Sequence, residues 1–222
     1  MRQISNSLLR NRGIWLAGLL ILGICLYGGV DFFQFQWQKK EAEAMIRSYT
    51  EQSVGMAFLP APYNRTGRPA DEETLAAKQE ENEQFLRQYW CFGKEGSQSG
   101  QGEELLEKTE QLLWLNGQGA GAIESATAAV QSVNSFRKLG PRTLEVQFTY
   151  AGSVRYTGTV QAVVFRPLHL VPEAVQVYAN SRNLEGDPLR KLSPTGDVTA
   201  ILTREKGSWK IDQVLYANVI YN

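Results

Sequence analysis

The stretch 129-AVQSVNSFRKLGPRTLEVQFTYAG-152 decides the fold class, because it combines a turn signal with a clear strand pattern. Gly140 and Pro141 lie at its centre, and this residue pair is typical of a turn. After the turn, apolar and polar residues alternate, with the apolar ones at Leu144, Val146, Phe148 and Tyr150. A period of two predicts a strand with one buried face.

The chain downstream of this stretch is predicted to add strands. The signals, in order, are a second turn at Gly152-Ser153, a strand over 154–165, a candidate strand over 173–182, a long loop over 183–196, and a closing hairpin over 197–222 with its turn at Lys206-Gly207. Together they predict four or five sequential antiparallel strands.

The chain upstream is predicted to be helical. Apolar residues recur at spacings of three and four in 38–54, which places Ala42, Met45, Ile46 and Tyr49 on one helix face. Three prolines in 59–69 end that helix. Two further helices are predicted over 71–90 and 103–116, whereas the Gly- and Ala-rich stretch 117–128 fits either helix or loop. Helices followed by a strand meander indicate an α+β fold, with the helices packed on a curved antiparallel sheet of four to six strands.

The stretch 13-GIWLAGLLILGICLYGGV-30 has eighteen residues without a charge. A membrane-spanning helix needs about 20 mostly apolar residues. A cleaved signal and a lipoprotein leader are the alternatives, but no small-residue cleavage site follows the run, and Ile24 rather than a small residue precedes Cys25. The prediction is a retained anchor in the lipid bilayer, with its contacts at Trp15, Leu19, Leu20, Leu22, Tyr27, Phe32, Phe33 and Trp37.

The charges beside the span predict its orientation. Three arginines precede it, whereas Lys39 and Lys40 follow some nine residues beyond it, behind Asp31. This bias favours a cytoplasmic N-terminus and therefore a single-pass protein of the cell membrane. The predicted parts are a cytoplasmic tail (1–12), a transmembrane helix (13–33), a juxtamembrane helix with a Pro-rich connection (34–70) and an extracytoplasmic α+β domain (71–222). Gly18, Gly23 and Gly28 are candidate points of close helix–helix approach.

The charges are unevenly distributed, although 23 basic residues balance 23 acidic ones. Residues 71–110 hold eleven acids and four bases, whereas residues 137–222 hold eleven bases and seven acids. The excess of four bases over the second region is too small for a nucleic-acid footprint, so no nucleic-acid partner is expected. The acidic region is typical of a solvated helix face, and docking onto a basic surface is the alternative.

The residues that carry chemistry are sparse. Cys91 is the one cysteine beyond the span, which excludes a disulfide within that part, and we expect it to be a buried apolar filler. His169 is the sole histidine and is expected to be a loop or strand-end residue. The run 117-GQGAGA-122 matches G-x-G-x-x-A, but the helix before it and the strands after it do not form the βαβ unit that a dinucleotide requires. We expect no metal and no cofactor.

The order of elements and the ending GSWKIDQVLYANVIY (207–221) resemble the cone-shaped α+β folds of the nuclear-transport-factor-2-like superfamily. A short tail, one span and such a domain also resemble the bitopic assembly subunits of type IV secretion and conjugation systems. That resemblance implies a bacterial scaffold acting through contacts with other membrane-protein subunits or with itself. An extracytoplasmic ligand-binding or sensing module using the cavity of the cone is the alternative.

An enzyme of the isomerase or dehydratase type is a further alternative, because some members of the superfamily place an Asp and a Tyr at the mouth of the cone. The available carboxylates are Glu145, Glu173, Asp197, Glu205 and Asp212, each expected to point outward from its strand, and the available tyrosines are Tyr150, Tyr156, Tyr178, Tyr216 and Tyr221. None of them matches a catalytic motif, so the chain is not expected to be an enzyme. Trp90, Trp114 and Trp209 are expected to be core or interface aromatics.

Overall fold

The structure, a computed structural model, describes residues 3–65, 67–93, 99–119, 121–158, 165–166, 169–170 and 189–221. Contacts between residues divide the chain into two compact units, Met1–Glu41 and Ala42–Asn222. The second unit therefore begins inside the stretch 34–70, which the sequence assigns to a juxtamembrane connection.

The helical part of the chain follows the predicted order. Helix α1 covers Gln3–Ser53 and is followed by a 3₁₀ turn at Val54–Ala57, α2 covers Glu72–Tyr89, and α3 covers Gln101–Asn116. The predicted helices over 71–90 and 103–116 are confirmed to within two residues. The helix predicted over 38–54 ends as expected near Ser53, but it is the last part of the continuous helix α1 and does not begin at residue 38. Asp71 caps α2 because its side chain accepts a hydrogen bond from the Thr74 amide at 2.7 Å, which satisfies one of the free donors of the first turn.

The strands form an antiparallel sheet, as the period-two pattern predicts. They are β1 (Gly121–Gly140), β2 (Thr143–Gly158), β5 (Leu189–Leu192), β6 (Pro194–Glu205) and β7 (Ser208–Tyr221), in the order β1-β2-β6-β7, while β5 pairs with the far end of β2. A separate short pair joins β3 (Phe165–Arg166) to β4 (His169–Leu170). The α+β class and the five paired strands confirm the predicted fold class.

The core of the second unit lies between the helices and one face of the sheet. The apolar residues that alternate along β2, Leu144, Val146, Phe148 and Tyr150, are all fully buried. From the helical side, Tyr49 of α1 meets the rings of Phe85, Tyr89 and Trp90 at centroid distances of 5.5, 5.3 and 6.2 Å. Ala42 and Ile46 are buried on the same helix, which confirms the predicted apolar face.

Three predictions about the boundaries of the strands are wrong. Gly152-Ser153 is not a turn: β2 runs through it, and a Cβ on Gly152 would lie 3.1 Å from the Thr127 carbonyl oxygen, so the glycine permits a close approach of two backbones. Stretch 117–128 is neither helix nor loop throughout, since β1 begins at Gly121. The predicted loop 183–196 contains β5 and the start of β6. The candidate strand 173–182 lies outside the described residues.

The β1–β2 hairpin is irregular. Strand β1 has 20 residues and its partner β2 has 16, and the four surplus residues sit at register shifts around Glu124, Gln131, Asn134 and Leu139. Each shift is a β-bulge, which bends a strand and increases its twist. A further bulge on β7 turns Asp212 inward, where it is 5% exposed, so the prediction that this carboxylate points outward is wrong.

Candidate functional site

The apolar segment of α1 is the most distinctive feature of the first unit. The helix contains one stretch, within Leu16–Met56, that is long and apolar enough to cross a membrane. The described residues predicted to contact lipid, Leu19, Leu20, Leu22, Tyr27, Phe32, Phe33 and Trp37, are between 55% and 78% exposed. The side chain of Trp15 lies outside the described residues. An apolar surface of this extent is unfavourable in water, so a partner or a bilayer must cover it.

Polar and charged side chains appear on α1 at the C-terminal end of its apolar segment. Trp37 donates a hydrogen bond from Nε1 to the Glu41 carboxylate at 2.6 Å, and the Lys39 ammonium lies 4.4 Å from the centre of the Phe35 ring. Phe32 and Phe33 make an edge-to-face contact next to them. A ring on one side and a charge on the other is the pattern found where hydrocarbon meets water.

The three glycines predicted to mediate helix contacts have open surroundings. A Cβ built on Gly18, Gly23 or Gly28 meets no atom within 4 Å. Residues five apart on an α-helix are separated by about 140° around its axis, so neither consecutive pair shares one narrow stripe. Each glycine therefore allows another helix to approach closely at a different position around the helix axis.

The outer face of the sheet carries a chain of hydrogen bonds that crosses all four main strands. We call it the polar ladder: Ser132 donates to Asn134, Asn134 to Thr149, Thr149 to Asp197, and Asn218 also to Asp197, over 2.8 to 3.2 Å. The hydrogen bonds from Asn218 and Thr149 lower the pKa of the Asp197 carboxyl. The sequence did not predict this ladder, because two of its asparagines, Asn134 and Asn218, sit at bulges of the strand pairing.

The covered face of the sheet holds buried tyrosine side chains. Tyr150 is fully buried and Tyr156 is 3% exposed, and the rings of Tyr150 and Tyr216 meet edge to face at 6.4 Å. Asp197 follows Gly196, the residue paired with Tyr150, and therefore points to the opposite face. The structure does not bring this acid and this tyrosine together. Glu173 and Tyr178 lie outside the described residues, as does the side chain of Tyr221.

The sequence did not predict the half-buried polar cluster beside Cys91. This cysteine is fully buried, as expected, and its amide donates to the Ile211 carbonyl at 2.8 Å. Burial, followed by the nearby Glu205 carboxylate, raises the pKa of its thiol, which keeps the thiol protonated and unreactive. The Lys210 ammonium donates to the Arg87 carbonyl at 2.9 Å and lies 3.7 Å from Glu205. The cluster joins the end of α2 to β7.

The glycine-rich run 117–122 serves a structural purpose. Gly117 accepts a hydrogen bond from the Ala70 amide and Gly119 accepts one from the Gly67 amide, both at 2.8 Å. The run leads from α3 into the antiparallel strand β1, so it does not lie in the βαβ unit that a dinucleotide site requires. These two hydrogen bonds hold the Pro-rich connection against the C-terminal end of α3.

The remaining candidates for chemistry are separated from one another. His169 begins β4 and pairs with Arg166 of β3, which is the strand-end position expected for it. Within the described ranges, no three His, Cys, Asp or Glu side chains lie close enough to hold a metal ion. Trp90 and Trp209 are buried, whereas Trp114 is 60% exposed on α3 and is therefore not a core residue.

The free edge of β7 is partly closed by α3. The Gln101 side chain accepts from the Val214 amide at 2.7 Å and donates to the Val214 carbonyl at 3.5 Å, as a neighbouring strand would. Ser99 donates from its hydroxyl to the Asp212 carbonyl, and Trp90 forms a β-bridge with Ile211. These contacts cover 211–214 of the edge. Beyond them, Leu215 and Ile220 are more than half exposed.

No protein-family model matches this chain, and no curated protein matches it. The chain is similar to a solved structure of an NTF2-like protein of unknown function from Prochlorococcus marinus, with 18% sequence identity and a TM-score of 0.26. The match covers 50% of this chain and 59% of the other protein.

Proposed function

We propose that this protein is a membrane-anchored assembly component whose folded unit acts outside the cytoplasm through protein–protein contacts. The observation that carries the proposal is the exposed apolar segment of α1, which precedes a folded unit with its own core. Such a chain holds a contact domain at a membrane surface. The bitopic subunits of bacterial secretion and conjugation machines are the specific form of this proposal, and it is supported by the likeness in organisation.

The alternative function, a ligand-binding or sensing module, needs an enclosed cavity with polar groups. The inward side chains of β2 from Leu144 to Tyr150 are fully buried, and the Tyr150 hydroxyl is the one polar side-chain group among them. A groove of about 390 Å³, lined by Phe58, Leu59, Pro60, Thr74, Ala77, Lys78 and Glu81, lies open beside α2. The groove is open to solvent, whereas a ligand-binding cavity encloses most of the surface of its ligand, so the groove does not favour this alternative over a contact function.

The topology is tested with the full chain in bacterial cells, carrying one epitope tag at each end. After the outer barrier is opened, an added protease should digest the region beyond Lys40 and spare the N-terminal tag. The reverse protection pattern, or a mature chain that begins after Tyr27, would contradict the anchor and its orientation.

The contact function is tested by cross-linking in the same membranes. We expect cross-linked products with other membrane subunits or with further copies of the chain. A protein that stays monomeric and copurifies with a small molecule would instead support the ligand-binding alternative.

A further inference from the structure

Two surfaces of the second unit each expose one large apolar side chain among charged residues. The first, the turn surface, consists of residues 137–145 together with residues 204–206. The two segments lie side by side because the Arg204 amide donates to the Arg142 carbonyl at 2.8 Å. The second, the α3 stripe, consists of Glu107, Glu110, Gln111 and Trp114.

The turn surface is basic. Its charged residues are five bases, Arg137, Lys138, Arg142, Arg204 and Lys206, and two acids, Glu145 and Glu205, which leaves a balance of plus three. Arg137 forms an ion pair with Glu145. Leu139 is the surplus residue of the last bulge in β1 and is 45% exposed. The bulge therefore presents an apolar side chain at the tip of a basic hairpin.

The α3 stripe is acidic. Helix α3 has four acids, Glu103, Glu104, Glu107 and Glu110, and one base, Lys108, which leaves a balance of minus three. Lys108 is paired with Glu104 on its own helix. Helical spacing places Trp114 on the same face as Glu107 and Glu110, seven and four residues before it. A tryptophan that is 60% exposed among carboxylates is an unusual surface residue.

The two surfaces complement each other in both charge and apolar content. From this match we propose that the turn surface of one copy docks on the α3 stripe of a second copy, with Leu139 against Trp114 and the bases facing the acids. The proposal rests on the assembly function above and identifies the chain itself as a partner. Because the two surfaces differ, the contact is head to tail and extends into rings or open chains.

The apolar and charged groups of this contact determine how association should respond to salt and to substitution. A buried aromatic inside a charged rim is the usual arrangement of a contact that dominates an interface, and Arg or Lys also binds the face of an indole ring. Ion pairs at the rim are screened by salt, so association must weaken as ionic strength rises. Reversing the charges on one surface places like charges opposite each other and should weaken association roughly tenfold or more.

The test uses the full chain, with one copy in each lipid nanodisc of neutral lipid, so that membrane helices cannot meet. The turn variant carries Lys138→Glu and Arg142→Glu, and the stripe variant carries Glu107→Lys and Glu110→Lys. A control with Lys40→Glu and Arg65→Glu has the same change in net charge as the turn variant, at exposed positions outside both surfaces. Sedimentation velocity measures association, and circular dichroism verifies that each variant folds.

We expect the wild type and the control to associate, each reversed variant alone to remain single, and an equal mixture of the two reversed variants to associate again. Recovery in the mixture is the decisive result, since the unaltered turn surface of the stripe variant then meets the unaltered α3 stripe of the turn variant, and the two reversed surfaces also carry opposite charges. The proposal is overturned if the wild type stays single, if either variant associates like the wild type, or if the mixture does not recover.

A lipid surface is the competing partner for the turn surface. If the turn variant loses binding to anionic vesicles while the stripe variant associates normally, lipid rather than a second copy is the partner, and the proposal is wrong. Cross-linking of both variants in native membranes distinguishes failure of the self-docking proposal from failure of the proposed assembly function. Products with other subunits would then persist, whereas loss of all products from the wild type would contradict the assembly function as well.

Discussion

Gly119 shows how a single residue fixes the connection between α3 and β1. Its φ is +74°, and a Cβ there would lie 2.8 Å from the Pro69 nitrogen and 2.9 Å from the Arg68 carbonyl carbon. Both atoms belong to the backbone and cannot move aside. Gly67 has a similar φ of +79°, but a Cβ on it meets nothing within 4 Å.

We therefore expect Gly119→Ala to destabilise the protein more than Gly67→Ala. The matched control carries only the cost of a left-handed residue, about 1 kcal/mol, whereas Gly119→Ala adds a backbone clash and should cost about 2–3 kcal/mol or more in free energy of unfolding. Denaturant unfolding of the two full-length variants measures the difference. Equal losses would show that the Pro-rich connection yields easily around Gly119.

Asp197 gives the polar ladder a dependence on pH. Its pKa is lower in the folded protein than its ordinary value, because Asn218 and Thr149 donate hydrogen bonds to the charged form. A depressed pKa stabilises the folded state above the ordinary pKa, and that contribution is lost as pH falls through the folded pKa. The substitution Thr149→Val removes one of the two donors and keeps the β-branched shape.

Thr149→Val should reduce the part of the acid-induced loss of stability that Asp197 causes. The measurement is the difference in free energy of unfolding between neutral pH and about pH 3 in the two proteins, because the relevant titration begins near the ordinary pKa of an aspartate. The substitution Thr199→Val, at another outer-face position of β6, serves as control. An unchanged acid dependence would show that Asn218 alone sets the pKa of Asp197.

At the scale of elements, the outer strands β1 and β7 of the main sheet are each partly protected against unwanted pairing. Strand β1 carries four bulges, and Arg47 of α1 donates to the outward Val130 carbonyl at 2.9 Å. Strand β7 carries two register shifts, and Gln101 occupies both backbone groups of Val214. Bulges and side-chain caps are known means of keeping an exposed edge from recruiting another strand.

Arg47→Leu should lower the free energy of unfolding by about 1–3 kcal/mol, because a charged donor to a poorly hydrated carbonyl is lost. Glu43 pairs with the same guanidinium on the helix surface, so Glu43→Gln is the matched control and should cost at most about 0.5 kcal/mol. Denaturant unfolding measures both variants. A larger loss in the control would place the stabilising role of Arg47 in the surface ion pair instead.

Gln101→Ala should expose the edge of β7. The Val214 amide loses its acceptor, so we expect its hydrogen exchange to accelerate, while amides of β2 in the sheet interior keep their protection. Gln111→Ala removes an exposed glutamine from the same helix and is the control. Equal protection of Val214 in all three proteins would show that another contact closes this edge.

The sequence predicts elements well where one physical signal dominates. The helix over 71–90 has a cap and an apolar face, so it is placed within two residues, and strict alternation places the start of β2, although β2 continues through the predicted turn to Gly158. The start of β1 could not be predicted, because Gly- and Ala-rich residues have low strand propensity and bulges break the alternation. The polar ladder and the inward Asp212 depend on the pairing register, which no single strand encodes.

At the scale of the whole molecule, the exposed apolar segment of α1 is the feature that sequence and structure both bring out. Hydropathy over eighteen residues suffices to predict its length, whereas the charges that flank it favour an orientation that rests on few residues. The contact surfaces of the folded unit could not be predicted, because Leu139 and Trp114 are distinguished only by their exposure.

Leu20→Arg should release the chain from membranes or lower its yield there. An arginine at the centre of a spanning helix costs about 2.5–3.5 kcal/mol in insertion free energy. Gln52→Arg places the same charge at an exposed position near the end of α1 and should leave the membrane fraction unchanged. Extraction with alkaline carbonate, followed by detection of the chain in pellet and supernatant, measures the outcome. Full retention of Leu20→Arg would contradict a spanning role for this segment.

In the β1–β2 hairpin, the 20 residues of β1 and the 16 residues of β2 span the same paired length. The four surplus residues of β1 form the bulges that bend this strand, so the difference in residue number maintains the curvature of the hairpin. Removing one surplus residue from β1 would relax the bend at that point while leaving the hairpin paired. Leu139 is one of the four surplus residues of β1. The same surplus residues therefore determine both the curvature of the hairpin and the apolar side chain exposed at its tip.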